Sequence, residues 1–115
     1  MIPDEDTAKR AKIIATMSPC GDDLIKDARV GAEVCRTVSR NLNKHSEDEA
    51  RNMYRAAKFA AGELHVRVFQ EYGFIGYADN ENAKDAIDDA IASADLLRKR
   101  WERKYKMKKD WDDAR

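Results

Sequence analysis

Three stretches of the chain repeat one spacing of apolar positions. Leu24, Ala28, Gly31, Cys35, Val38 and Leu42 follow at steps of four, three, four, three and four. Ala50, Tyr54, Ala57, Ala61, Leu64 and Val68 repeat those steps, and so do Ala83, Ile87, Ala90, Ala94, Leu97 and Trp101. A mean step of 3.5 residues keeps one stripe of an α-helix facing a neighbouring helix. Ile25, Ala32, Phe69 and Ile91 are expected to widen these stripes toward a globular core. Ala56, Ala57, Ala60, Ala61 and Gly62 are small enough to let helices approach closely, at the cost of a thin core.

Local signals bound these helices and add a fourth. Pro3 suits a first helical turn, and Asp4, Glu5 and Asp6 complement the positive end of a helix dipole, so a short first helix is predicted over 4–17. Ser18-Pro19-Cys20-Gly21 ends it. The second helix is predicted over 22–43. Ser46 with Glu49 forms a capping box that opens the third, predicted to end near Tyr72. Gly73-Phe74-Ile75-Gly76-Tyr77 reads as a connector, and Asp79 or Asn80 as the cap of a long fourth helix reaching Asp110. The expected fold is all-α: a single domain over 1–115, arranged as a four-helix antiparallel up-and-down bundle with a short first helix and a long C-terminal one.

Composition agrees with helices. The 115 residues are 38% charged, with two prolines and five glycines. Twenty-two basic residues balance 22 acidic ones, so bulk charge selects no polyanionic partner. The acidic N-terminus lacks the pattern of a signal peptide, and no apolar run approaches the ~20 residues of a membrane span, so no membrane association is expected. Cys20 and Cys35 form no disulfide framework, which points to a reducing, cytoplasmic setting. With His45 and His65 they give no metal-ligand spacing; no metal and no cofactor is expected. Cys35 reads as a small core residue and His65 as a boundary residue.

The fourth helix carries the most distinctive surface. Residues 79–95 hold six acidic side chains and residues 98–109 hold eight basic ones, among them Arg98, Arg100, Arg103, Lys104, Lys106, Lys108 and Lys109. At 1.5 Å per residue this helix would measure about 45 Å against about 33 Å for the second, so its end would overhang. That end carries Trp101, Tyr105, Met107 and Trp111, and exposed aromatics of this size mark a contact. The expected function is therefore a non-catalytic binding, adaptor or regulatory module that forms a homodimer and engages a protein partner. Trp101, Tyr105 and Trp111 would make the contacts, together with Phe74, Ile75 and Tyr77 of the apolar connector. The alternative is a nucleic-acid accessory protein, its basic run on phosphates and Trp101 and Tyr105 stacking on bases.

Two short motifs suggest other chemistry. Arg40-Asn41-Leu42-Asn43-Lys44-His45 is similar to the Arg, polar residue, spacer, His motif of HEPN ribonucleases, which are helical and dimeric. The resemblance covers six residues. It implies His45 as general acid/base or phosphate-orienting group, Arg40 as phosphate clamp and Asn41 as support. Thr37-Val38-Ser39-Arg40 with Asn43 resembles a lactose-repressor-type recognition helix. There Glu33, Asp27 and Asn41 fall where apolar packing residues belong, and a continuous helix is expected instead.

Overall fold

The computed structural model describes residues 21–112, with side chains for 23–70 and 80–112. Helix α1 spans Gly21–Arg40, a 3-10 turn covers Leu42–Lys44, α2 spans Glu47–Asp79 and α3 spans Glu81–Tyr105. The described residues are all-helical, and the three helices pack on one another. The segment predicted as a first helix over 4–17, with Cys20, lies outside the described residues.

The capping box forms as the sequence predicts. The Glu49 N–H donates to Ser46 Oγ at 3.1 Å, and the Ser46 N–H donates to Glu49 Oε1 at 3.1 Å. Asn80 alone separates α2 from α3, and its Oδ1 accepts the Ala83 N–H at 3.1 Å. The predicted connector at 73–77 is corrected: α2 runs through Gly73, Phe74, Ile75, Gly76 and Tyr77 to Asp79. A glycine costs a helix only about 1 kcal/mol relative to alanine, and no proline stands there to stop it. The second predicted helix also ends earlier, at Arg40 rather than 43, where Asn41 leaves helical geometry.

Two apolar clusters fix the directions. Leu24 and Ala28 of α1 join Leu64 and Val68 of α2 and Ala83 and Ile87 of α3. Cys35 and Val38 join Ala50, Met53 and Tyr54, with Leu97 and Trp101. Successive helices are therefore antiparallel, and α1 runs parallel to α3. The predicted seams are buried throughout, save that Leu42 lies partly exposed in the turn. Ala32 joins the core and Ile25 packs on its edge, but Phe69 and Ile91 remain exposed.

Small residues set the spacing between α1 and α2. A Cβ placed on Gly31 would lie 2.9 Å from Ala57 Cα, closer than carbon atoms pack. Of the 21 buried apolar residues among those described, ten are alanines, so the helices gain contact by proximity rather than by large side chains. Polar contacts add register between the parallel pair. Arg36 Nη1 of α1 donates to Asp89 Oδ1 at 2.6 Å and to Ser93 Oγ at 3.0 Å on α3.

Candidate functional site

The end of the bundle where α1 finishes, α2 starts and α3 finishes is built differently from the sequence expectation. Helix α3 does not reach Asp110. It stops at Tyr105, and Lys106 adopts a left-handed conformation with φ 55° and ψ 42°. That geometry costs a residue with a Cβ ~1–2 kcal/mol, and a set of bonds offsets it. The N–H groups of Lys106 and Met107 both donate to the Glu102 carbonyl. The Glu102 carboxylate accepts the Lys109 N–H at 2.8 Å and Arg98 Nη1 at 3.0 Å. The chain thus turns back on itself instead of overhanging.

The segment beyond the turn is anchored to α2. Trp111 Nε1 donates to Glu47 Oε2 at 3.2 Å, and Lys109 Nζ donates to Glu47 Oε1 at 3.1 Å. The Trp111 carbonyl accepts Arg55 Nε at 2.9 Å. Asp112 Oδ1 accepts the Tyr54 hydroxyl at 2.7 Å and Lys58 Nζ at 2.9 Å. The Trp111 ring meets Tyr54 edge-on at 5.6 Å and Trp101 at 5.9 Å. Trp101 is 4% exposed and Trp111 2%, so both belong to the chain's own core. Their predicted display to a partner is corrected: the reversal at Lys106 gives Trp111 a place to be buried and roofs Trp101.

The bonds hold the anchoring carboxylates charged. The Lys109 N–H bond, aided by Arg98, keeps the Glu102 carboxyl below its ordinary range despite some loss of solvation. Asp112 is lowered by the Tyr54 hydroxyl and the Lys58 ammonium. Burial opposes the charge on Glu47, but the bonds from Trp111 and Lys109 outweigh it and hold that carboxyl down too.

Beside the anchored turn lies an open cleft of about 300 Å³, lined by His45, Ser46, Glu47, Trp101, Tyr105, Met107 and Lys109. Tyr105 packs on Trp101 with ring centroids 4.6 Å apart, yet Tyr105 is 45% exposed and Met107 61%. His45 Nδ1 sits 3.5 Å from Glu49 Oε2. The other basic residues of this stretch, Lys99, Arg100, Arg103, Lys104, Lys106 and Lys108, are exposed and form no ion pair with a described residue; of these, Lys104, Lys106 and Lys108 flank Tyr105 and Met107 in the chain. Arg98 and Lys109 are already paired, to Glu102 and Glu47.

The cleft gathers some of the sequence candidates and leaves others elsewhere. His45, Trp101, Tyr105 and Lys109 meet there. Arg40 is not part of its wall. Its guanidinium lies 3.7 Å from Glu33 and reaches Thr37 on the outer face of α1, and the Asn41 amide donates to the Thr37 carbonyl. Residues 37–40 lie within unbroken α1, without the turn that a helix-turn-helix requires. Phe74, Ile75 and Tyr77 lie on α2, and their side chains are outside the described set. No protein-family model, curated protein or solved structure matches the chain. Cys35 is a buried thiol that donates to the Met53 carbonyl, and burial pushes its pKa up to about 12, which suits a core residue rather than a nucleophile. Among the described residues no three His, Cys, Asp or Glu side chains converge on a metal position, and no helix is long and apolar enough to cross a membrane.

The sequence pattern does not single out Glu102 and Glu47 as site residues. A continuous helix to Asp110 hides them, because the reversal at Lys106 carries neither glycine nor proline to announce it.

Proposed function

We propose that this chain is a non-catalytic helical binding module that engages an acidic protein surface through Tyr105, Met107 and the cations around them. The observation that carries this reading is the exposure of both apolar side chains on a turn fastened by the Glu102 and Glu47 bonds. A held turn loses little conformational entropy on binding, and an apolar centre rimmed by charge is the composition of a recognition patch. In this reading the segment 4–17 adds the fourth helix of the bundle. The module works in the cytoplasm, where the free Cys35 thiol stays reduced.

A protein partner is favoured over nucleic acid by the fate of the aromatics. Trp101 is buried and offers no face to a base, and the Lys104 ammonium already sits 5.6 Å from the Tyr105 ring centre. The basic lip remains, but of the two aromatics expected to stack beside it only Tyr105 is exposed.

A photoreactive amino acid placed at Met107, with one at Val30 on α1 as the control, tests the reading in living cells. The expected result is a discrete protein adduct from position 107 that disappears when Lys104, Lys106 and Lys108 are changed to Glu. Equal labelling from both positions, or an adduct removed by nuclease, would contradict it.

A further inference from the structure

Along the outward side of α3 the exposed residues form a palindrome. Starting from Glu81, the stripe passes Asp85, Asp88, Ala92, Leu96 and Lys99 to Arg103, at steps of four, three, four, four, three and four. The spacing reads the same from either end, and at 100° per residue the whole stripe stays on one narrow face. Glu81 and Asp85 are mirrored about Ala92 by Arg103 and Lys99, whereas Asp88 is mirrored by Leu96. Among the described residues none of the five charged members has an ion-pair partner. Leu96 on the stripe and Ile91 beside it are each 38% exposed, one on either flank of the central alanine.

Dipole complementarity does not account for this arrangement. The field of helix ends fades within the first and last turns, whereas Asp88 and Lys99 lie further in on a 25-residue helix. An antiparallel second copy accounts for the mirrored acids and bases at the two ends of the stripe. When two such helices cross at Ala92, residues equally far from the crossing in opposite directions lie level. Glu81 then faces Arg103 of the second copy, Asp85 faces Lys99, and the two Ala92 residues meet on the axis. Alanine at that point permits close approach, and the flanking Ile91 and Leu96 side chains lose water as the faces join. A self-complementary patch of this kind is what a two-fold dimer requires.

We infer that α3 is the interface of an antiparallel homodimer centred on Ala92. This interface does not depend on the Tyr105 and Met107 lip or on its partner. Since its specificity comes from exposed charges, the dimer is salt-sensitive.

Sedimentation of the full chain at about 100 µM, in ionic strengths of about 20 mM and about 500 mM, tests the inference. The dimer is expected at low salt, with a dissociation constant at least about tenfold weaker at high salt. Asp85→Lys and Lys99→Glu each set like charges opposite one another, and each variant alone is expected to be monomeric with unchanged helicity by circular dichroism. An equimolar mixture of the two restores opposite charges at both positions and is expected to sediment as a heterodimer. A wild-type chain that stays monomeric at low salt hands this face to some other occupant and overturns the inference. Dimerisation indifferent to either substitution, or a mixture no more associated than its components, overturns it equally.

Discussion

Asp27 is a carboxylate in an apolar place. It is buried on α1, and its Oδ2 has no hydrogen-bond partner. Burial, with Asp23 adding to it and Lys26 opposing, raises its pKa from 3.8 to about 6. The folded chain therefore holds this proton more tightly than the unfolded chain. The charge costs stability above about pH 6, and the cost is relieved as pH falls toward 4. Asp27→Asn should raise stability at pH 7 by roughly 1–3 kcal/mol and flatten the dependence between pH 4 and 6, as read by urea unfolding at a series of pH values. Gly31 makes the opposite case. Its missing side chain is what lets α1 approach the Ala57 backbone. Gly31→Ala should therefore lower the melting temperature although alanine favours helix, whereas Gly62→Ala, with open space around it, should raise it.

Elements were legible wherever one periodic seam met a chemical stop. The three seams, the Ser46–Glu49 box and the Asn80 cap all stand where the residues put them. The misreadings run in both directions. Gly73 and Gly76 looked like a break, but continuing the helix costs each only about 1 kcal/mol. Lys106 looked like one more helical residue, yet it takes the left-handed cap because the tail beyond it finds partners 54–64 positions earlier in the chain. Bonds of that range leave no trace in a local pattern. The size of the Trp111 contact is testable at this scale. Trp111→Ala should cost about 3–5 kcal/mol of unfolding free energy, far more than an ordinary change in a tail beyond a helix end, with guanidinium denaturation as the measurement.

For the whole molecule, the fold and the sites differ in how they are written. An apolar period specifies three packed rods, but a cleft depends on where a reversed tail comes to rest. Met107 and Lys109 came to line the cleft beside His45 only through that reversal, while Arg40, five residues before His45, turned to Glu33 on the outer face. The reversed tail also gives the domain an acid-labile corner. Glu47, Glu102 and Asp112 are all held below their ordinary range, so their stabilisation is complete above the unfolded values and is lost as pH falls through the folded ones. As the pH falls below the ordinary carboxylate range, the Trp111 indole N–H should exchange with solvent faster than the amides of α1 and α2, because the corner releases before the bundle unfolds. The reading of the bundle end rests on that tail being folded back onto α2. Nuclear Overhauser contacts from the Trp111 ring protons measure this most directly. The account predicts cross-peaks from Trp111 to the rings of both Tyr54 and Trp101; a Trp111 with free-indole shifts and no contact to either ring would contradict it.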